Sequence, residues 1–148
     1  MAKLGRSLVE PDAEPRVQAA ALPWRRDDDG EVKVLLITSR ETRRWVIPKG
    51  WPIKGLKPQK TAAREALEEA GVQGAMAKKI GVFHYDKRLA DGRVQKIRVA
   101  VFPLKVEVEL DRWPEAHERV RRWTSPGDAA ALVLEPELAE LLRRFAPG

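Results

Sequence analysis

Apolar positions recur along the chain with two different periods, and each period predicts a different kind of element. Near residue 66 and again near residue 141, apolar residues are spaced three and four apart, which is typical of a helix with one core-facing side. Elsewhere, β-branched and apolar runs predict strands over 17–24, 32–38, 45–47, 75–85 and 94–108. Such strands, with one helix in mid-chain and one at the end, predict an α/β (α+β) domain with three layers, α/β/α, around a mixed β-sheet.

Turn and capping residues mark where these elements begin and end. The Asp-Gly turns at 27–30 and 90–92 are typical of connections between neighbouring strands. The three consecutive Asp of the first turn are interpreted as turn residues and not as a metal site. Pro58 is expected in the first turn of the mid-chain helix, and Gly71 just beyond its end. The last helix has a core face at Leu138, Leu141, Leu142 and Phe145.

The size of the chain and the absence of cysteine limit the number of domains and the kinds of functional site that the protein can have. A chain of 148 residues is expected to fold as one domain, here over 15–148, with a flexible tail over 1–14. Without cysteine, disulfides, zinc–thiolate sites and a cysteine nucleophile are excluded. No apolar run is long enough for a signal peptide or a membrane span, which predicts a cytoplasmic protein that does not contact membranes.

The mid-chain helix combines an apolar stripe with crowded negative charge. Glu65, Glu68 and Glu69 are spaced i, i+3 and i+4, so they share one side of the helix and repel one another. Two of them also lie in the last turn, where the helix dipole disfavours anions. A divalent cation held by carboxylate oxygens would offset both effects. The opposite side is predicted to face the core through Ala63, Ala66, Leu67 and Ala70.

Positive charge is concentrated just before this helix. The formal net charge is +6, and the segment 40–60 holds seven basic residues against the single acid Glu41. A strand at 45–47 leads into a loop with glycine and lysine and then into the acidic helix. Lysine side chains beside a carboxylate-bound metal suit a polyphosphate, whose oxygens contact both. The sequence therefore predicts a phosphate-rich small molecule as the partner.

The residues in this region resemble a known motif. Gly50 followed by Arg64-Glu65-Ala66-x-Glu68-Glu69-x-Gly71-Val72 is similar to the Nudix box, G-x5-E-x7-R-E-U-x-E-E-x-G-U, in which U is an apolar residue. One position departs from the motif, because its first Glu is replaced by Leu56. In the family that Glu pairs with the motif's Arg and braces the loop, so its replacement affects the brace more than the chemistry.

The resemblance to the Nudix hydrolases implies a Nudix fold and a metal-dependent hydrolase. Mg²⁺ (or Mn²⁺) would be held by Glu65, Glu68, Glu69 and the carbonyl of Gly50, with these carboxylates as the catalytic groups and Glu65 as the first candidate for proton acceptor. Arg64 and Gly71 would be structural residues, with Arg64 tying the helix to its surroundings and orienting Glu68.

Segments outside the box resemble the branch that acts on diphosphoinositol polyphosphates and dinucleoside polyphosphates. The similar segments are Arg44–Pro48 and the stretch from Asp111 to Trp123. This resemblance implies phosphate-binding roles for Arg40, Lys49, Lys54 and Arg119, with Arg16, Lys96 and Arg98 as further candidates. Trp24, Trp51 and Trp113 are interpreted either as residues that stack on the base of a nucleotide substrate or as aromatic residues of the core.

The predicted reaction is hydrolysis of a phosphoanhydride in a nucleoside or inositol polyphosphate. ADP-ribose, a nucleotide sugar or a nucleoside triphosphate remain alternative substrates. A non-catalytic Nudix-like module that binds nucleotide or RNA is a second alternative. Leu56 favours this alternative, whereas the three retained carboxylates argue against it. Nucleic acid is therefore not the expected partner. The sequence does not predict the oligomeric state.

Overall fold

The computed structural model describes residues 15–148, so the tail predicted over 1–14 lies outside the described residues. Strands in this part of the chain form one sheet: β1 (Arg16–Arg26), β2 (Val32–Thr38), β3 (Trp45–Val46), β4 (Lys49–Gly50), β5 (Val72–Met76), β6 (Gly81–Arg88), β7 (Val94–Glu109) and β8 (Arg121–Thr124). The helices are α1 (Pro58–Glu65), α2 (Pro126–Leu132) and α3 (Pro136–Arg144), and a π-helical segment, Ala66–Ala70, continues α1. None of these helices is both long and apolar enough to cross a membrane.

The sheet is mixed because its two central strands run parallel. β1 lies beside β7 from the pair Arg16–Ile97 to the pair Trp24–Lys105, whereas the other strand pairs are antiparallel. The order β3-β2-β1-β7-β5 is completed by β4 beside β1, β6 beside β7 and β8 beside β2. Because β4 places Gly50 opposite Ala19, the chain reaches the centre of the sheet immediately before the loop to α1.

Helices cover both faces of the sheet. On one face, Ala62, Ala66 and Ala70 of α1 and the π segment pack into one apolar cluster. On the other face, α2 and α3 pack a second cluster that includes Leu138 and Leu142. Apolar side chains alternate between these clusters along the strands, as expected for a sheet buried on both sides. The predicted three-layer α/β/α architecture is therefore confirmed.

The predicted turns and helix starts are confirmed by their hydrogen bonds. In the first hairpin, Asp27 Oδ1 accepts bonds from the backbone amides of Asp29 and Glu31, each at 3.0 Å, so the Asp-rich segment is a turn. Pro58 opens α1. Ser125 caps α2, since its side chain accepts a bond from the Asp128 amide at 3.1 Å.

The strand prediction over 75–85 is wrong in one respect, because this region forms two strands. β5 ends at Met76 and β6 begins at Gly81, with the exposed Lys78 and Lys79 between them. Two adjacent exposed lysines interrupt the apolar pattern that a continuous strand requires. β5 and β6 nevertheless lie along the same strand, β7, one after the other. The short strands β4 and β8 were not predicted, because neither has a long enough apolar pattern.

The acidic helix also differs from the prediction in its pitch. The α-helical part ends at Glu65, and the following five residues form a π helix. The buried positions are Ala62, Ala66 and Ala70, whereas Ala63 and Leu67, which were predicted to face the core, are only half-buried. A π turn is wider than an α turn. Ala66 and Ala70 of the predicted stripe are therefore buried as expected, and Ala62 is buried in place of Ala63.

Candidate metal and phosphate site

The candidate site begins where β4 passes beneath the end of α1. A Cβ atom on Gly50 would lie 2.4 Å from both Cδ and Oε2 of Glu65. Any side chain at this position would therefore displace the Glu65 carboxyl group. Gly50 is buried and held in the sheet opposite Ala19, so the strand cannot easily move away. The close approach explains why the site requires glycine here.

Glu65 and Glu69 lie next to each other, one helical turn apart. Burial is the largest of the causes that raise the pKa of Glu65 to about 8, followed by the charge of Glu69 and a hydrogen bond between the two carboxyl groups. Burial also raises the pKa of Glu69, although Arg119 and Lys49 oppose the effect. Two carboxyl groups held in contact and partly out of water favour a shared proton or a bound cation.

Glu69 is held from two sides by hydrogen-bond donors. The backbone amide of Lys49 lies 3.4 Å from Glu69 Oε1, and Arg119 Nη2 lies 3.4 Å from Glu69 Oε2. Glu69 is correspondingly shielded, with 15% of its side chain exposed. These contacts fix the carboxylate relative to both β4 and the segment before β8, so it cannot turn freely toward solvent.

Glu115 belongs, with Glu65, Glu68 and Glu69, to one acidic group. The sequence predictions missed Glu115. Its carboxylate accepts bonds from Arg119 Nη2 at 2.7 Å and Nε at 2.9 Å, and its backbone amide donates to the carbonyl of Glu68 at 3.2 Å. Its charge contributes to the raised pKa values of Glu65 and Glu69. The spacing of four residues between Glu115 and Arg119 was the available signal, but it indicates only an ion pair and not its location.

Two residues support the end of the acidic helix: Trp113, which lies between β7 and β8, and Arg121, which is in β8. Trp113 Nε1 donates to the carbonyl of Glu69 at 3.0 Å, and Arg121 Nη1 donates to the carbonyl of Ala70 at 3.2 Å. The Arg121 guanidinium also lies 3.9 Å from the centre of the Trp113 ring. A cation at this end of a helix offsets the unfavourable dipole that the acidic side chains experience there.

Gly71 ends the helix as predicted. Its φ is +69°, a left-handed conformation that favours glycine, and its amide donates to the carbonyl of Leu67 at 3.1 Å. A Cβ on Gly71 would also lie 2.7 Å from Cδ2 of Trp113. Gly71 therefore permits both the turn and the contact with the indole ring.

The donor set suits a hard divalent cation in kind, since it consists of carboxylate oxygens close to buried backbone. The crowding of Glu65 and Glu69 against Gly50, with raised pKa values, is an arrangement that a cation would stabilise. In their present orientations, the acidic and histidine side chains within residues 15–148 do not bring three ligands together at one point. A metal ion bound here would therefore require at least one carboxylate to rotate.

The basic residues predicted to bind phosphate are placed in different ways. Lys54 is exposed in the loop before α1, and Arg40 is exposed with Nη1 3.4 Å from Glu118 Oε1. The charge of Glu115 is the largest cause that raises the pKa of Arg40, which places Arg40 beside the acidic group. Lys49 is partly buried, and burial lowers its pKa; its Nζ lies 5.1 Å from the Tyr85 ring centre.

Arg119 does not have the exposed position expected of a phosphate clamp. Only 6% of its side chain is exposed, and its three nitrogen atoms are all engaged, by Glu115, by Glu69 and by the carbonyl of Thr38 at 3.0 Å. As oriented here, Arg119 positions the two carboxylates and does not present a free guanidinium. The physical reason is that the acidic residues around it are its nearest counter-charges.

The further candidates lie farther from the carboxylates. Arg16 lies over the ring of Trp51, at 4.3 Å from its centre. Lys96 Nζ lies 3.7 Å from Asp86 Oδ1 on the neighbouring strand. Arg98 is exposed on β7, paired in register with His84 of β6. These residues form a basic border at the beginning of β1 and β7.

The predicted role of Arg64 is not supported by its contacts. Arg64 is exposed, and its guanidinium makes no hydrogen bond or ion pair with residues 15–148. It therefore neither ties the helix to its surroundings nor orients Glu68. The reason lies at position 56, where an acid would be its natural partner and where Leu56 is instead 37% exposed.

Of the three tryptophans considered as stacking partners, Trp51 alone borders the candidate phosphate site without being committed to the helix end. Trp24 is buried in the core, and Trp113 covers Gly71. Trp51 is partly buried beneath Arg16, so one of its faces already has a cation as a partner.

Residues 15–145 match the NUDIX domain family. The chain belongs to the Nudix hydrolase family. The predicted family is thereby confirmed, and members of the family generally use divalent metal ions. In the Nudix motif of this chain, Gly50, Glu65 and Glu69 are the residues that the fold brings into contact.

Curated relatives include hydrolases of several kinds. Nudix hydrolase 21, chloroplastic, of Arabidopsis thaliana is 31% identical over 128 residues, covering 82% of this chain and 61% of its own length. The chain thus spans about three fifths of that relative. Diphosphoinositol polyphosphate phosphohydrolase 2 of Rattus norvegicus is 33% identical over 135 residues, covering 88% of this chain and 71% of its own.

A solved structure with the same fold is the C. elegans Ap4A hydrolase. It superposes with a TM-score of 0.64 at 22% identity, and the match covers 89% of this chain and 96% of that one. At this identity the likeness shows the Nudix fold. The mixed sheet between helical layers is therefore the architecture that this chain shares with it.

Proposed function

We propose that this Nudix protein hydrolyses a phosphoanhydride bond in a nucleoside or inositol polyphosphate, of the diphosphoinositol polyphosphate or dinucleoside polyphosphate type, and that it requires Mg²⁺ or Mn²⁺. The observation on which the proposal depends is the contact of Glu65 with both Gly50 and Glu69. This geometry keeps two carboxyl groups together at a cost that a bound cation would offset. The resemblance to curated phosphohydrolases supports the same class of reaction.

The metal would be held by Glu65, Glu68 and Glu69, with the carbonyl of Gly50 as a further oxygen donor. When bound, such an ion lowers the pKa of water and neutralises charge on phosphate oxygens. Arg119 and the amide of Lys49 hold the Glu69 carboxylate in place, and Glu115 holds Arg119. Residues remote from the motif would thus keep the ligand oxygens where the motif requires them.

The reaction is the attack of a water oxygen on phosphorus. A new P–O bond forms, the bond to the bridging oxygen breaks, and the water proton passes to a carboxylate. Glu65 is the first candidate for that acceptor, as the resemblance to the family implies. The leaving phosphate departs as an anion, and we propose that Lys49 and Arg40 stabilise it.

The basic border supports a substrate with several phosphates. Lys54 and Arg40 are exposed, and Arg16, Lys96 and Arg98 lie at the start of the central strands. A chain of phosphates extending from the metal would meet these charges in turn. We further propose a cytoplasmic location and a single catalytic domain over residues 15–148.

Two alternatives are tested by the same experiment. ADP-ribose, nucleotide sugars and nucleoside triphosphates also contain the phosphoanhydride bond, and nothing in the site discriminates against them. A non-catalytic module that binds nucleotide or RNA is favoured by one observation, the missing partner of Arg64 at Leu56. The raised pKa values at Glu65 and Glu69 favour catalysis, because a binding surface for anions gains nothing from crowded carboxylates.

The experiment is a substrate screen with and without metal. The purified protein is incubated with Mg²⁺ or Mn²⁺ and diphosphoinositol phosphates, dinucleoside polyphosphates, ADP-ribose, nucleotide sugars and nucleoside triphosphates, and product release is measured. We expect turnover that needs the metal and is highest for substrates with several phosphates. A profile without turnover on any compound, from a protein that still binds nucleotides, would establish the binding-module alternative.

The site assignment has its own variants. Glu69→Gln should lower metal-dependent turnover by about a hundredfold or more, because it removes a charged oxygen ligand while preserving shape. Glu140→Gln is the matched control, since Glu140 on α3 binds only Arg143 and Arg144 in the described structure. Circular dichroism checks that both variants fold. Wild-type turnover in the folded Glu69→Gln protein would show that the metal site is wrongly assigned.

A further inference from the structure

A cavity of about 690 Å³ lies away from the acidic group, at the other end of β1. Trp24 forms part of its wall, whereas the acidic group is next to Ala19 of the same strand. Their separation of five positions in sequence corresponds to about 17 Å along the strand. Trp24 also belongs to the cluster beneath α2 and α3, on the face of the sheet opposite the acidic helix. An occupant of this cavity would not touch the hydrolytic site.

The cavity is lined mainly by apolar side chains from three parts of the chain. Ile80, in the link between β5 and β6, is 39% exposed. Leu141 of α3 and Phe145 just beyond it were expected in the core but are only partly buried, because they line this cavity. Apolar side chains around an open volume of this size are typical of sites for small ligands.

The charged side chains of the lining are all basic, and the backbone of Gly148, the last residue of the given sequence, also lines the cavity. Lys78, Lys79 and Arg144 line the cavity together with the apolar side chains, and no Asp or Glu side chain is among the lining residues. Lys78 and Lys79 form no ion pair with any residue in 15–148, whereas Arg144 binds Glu140 at 2.8 Å. Lys105 adds a further cation, since its Nζ lies 5.6 Å from the Trp24 ring centre.

We propose that this cavity binds a small amphipathic anion, with an apolar body against Ile80, Leu141 and Phe145 and a single anionic head group near Lys78 and Lys79. The two features that a ligand must match are side by side: apolar walls, and the cations of Lys78 and Lys79, which form no ion pair with the acidic side chains in 15–148. An uncharged ligand would use only the first feature, and a polyphosphate only the second. The proposal does not depend on the proposed hydrolase function.

The binding experiment uses the whole protein and a fluorescent probe. Anilinonaphthalene sulfonate, an apolar anion, is titrated into the folded protein, and decanoate, decanol and decyltrimethylammonium are compared as competitors. We expect decanoate to displace the probe at a concentration roughly fivefold or more below that of decanol, because the nearby cations attract the carboxylate and not the alcohol. The cationic competitor should be the weakest of the three.

Variants locate the binding in this cavity. Ala77→Trp places a large side chain into the cavity from an exposed position and should abolish displaceable probe binding. Ile80→Glu and Ile80→Gln form a matched pair that differs only in charge, so decanoate should bind several-fold more weakly to the first than to the second. Lys87→Gln, at an exposed position of β6, lowers the net charge by the same amount as Ile80→Glu and so controls for the net charge of the protein.

The outcomes separate the possibilities. Unchanged melting temperatures and unchanged turnover in these variants would show that losses of binding arise at the cavity, since none of these residues lies in the acidic group. Probe binding that survives Ala77→Trp, or equal displacement by decanoate, decanol and the ammonium compound, would overturn the proposal. Absence of any probe binding to the wild-type protein would also overturn it.

Discussion

The two ends of the Nudix helix are stabilised in different ways. At its beginning, the loop from Trp51 to Lys57 makes no ion pair with the helix within residues 15–148, and the motif's first Glu is replaced by Leu56. At its end, Trp113 and Arg121 bind the last carbonyls. The crowded carboxylates lie toward the supported end. The comparison suggests that rigidity is needed where like charges are crowded and is dispensable at the loop.

The beginning of the site is most sensitive at Gly50. Gly50→Ala should lower metal-dependent turnover by about a hundredfold, because the new Cβ would occupy the position of the Glu65 carboxyl group. Gly127→Ala is the matched control, since a Cβ there has open space, and alanine in helix α2 should stabilise the protein by up to about 1 kcal/mol. Steady-state kinetics and thermal melting measure the two effects. Equal turnover of both variants would contradict the close packing at Gly50.

The supported end is tested by Arg121→Ala. Removing the guanidinium leaves the carbonyls of Ala70 and Leu110 without their donor, so the free energy of unfolding should fall by about 2 kcal/mol. Arg122→Ala, at the next position and 5.6 Å from the Trp45 ring centre, should cost less than about 1 kcal/mol. Denaturant unfolding distinguishes them. Substitutions at surface positions usually change the free energy of unfolding by about 0.5 kcal/mol or less. If Arg121→Ala had no larger effect than this, the helix end would not depend on Arg121.

The crowded carboxyl groups predict a dependence of stability on pH. The pKa of Glu65 is raised to about 8 in the folded protein, so the metal-free protein binds a proton that the unfolded chain has already released. The contribution of Glu65 to stability should therefore be fully present below the ordinary pKa of a glutamate and be lost as pH rises through about 8. Added Mg²⁺ should raise the melting temperature more above this pH than below it, because the metal needs the ionised carboxylate.

A comparison with Glu65→Gln assigns this effect. The amide cannot ionise, so both the decline in stability and the pH-dependent response to Mg²⁺ should largely disappear in the variant. Melting curves with and without Mg²⁺ on both sides of the transition provide the measurement. If the variant kept the full pH dependence, another group would be responsible for it.

The smallest effect is expected from restoring the motif at the loop. Leu56→Glu introduces an acid toward Arg64, and an exposed ion pair of this kind should add about 0.5 kcal/mol or less to the stability. Leu56→Gln serves as the control for polarity. Melting at low and high salt measures the gain, which should vanish at high salt. A large increase in turnover with Leu56→Glu would instead indicate that the brace matters for chemistry.

The sequence was informative about the chemistry and less so about its support. Glu65, Glu69 and Gly50 were predictable because they belong to one short motif whose spacing is read directly along the chain. Trp113 and Arg121 were not, because they contact the helix from 44 and 51 residues away in sequence. No local pattern records such contacts. The resemblance to the polyphosphate branch implies a phosphate-binding role for Arg119, but it does not record that Glu69 and Glu115 lie against this side chain.

Prediction of the fold from the sequence is limited in the same way, because contacts between distant segments leave no local pattern. Strands β1, β2 and β7 were predicted because each buries a long apolar pattern on the sheet. β4 has two residues and depends on pairing with β1, so nothing in its own sequence identifies it. The π-helical pitch of the acidic turn was also unpredictable from periodicity, because the apolar stripe of Ala62, Ala66 and Ala70 is compatible with either pitch over so few residues.

The contact between Gly71 and the indole of Trp113 makes these two positions interdependent. A side chain introduced at 71 would push the ring outward, and the carbonyl of Glu69 would then lose its donor. Conversely, a smaller residue at 113 would create room for a side chain at 71 while leaving the left-handed backbone unfavourable. Substitutions at the two sites should therefore have non-additive effects, and variant libraries of this protein should change them as a pair.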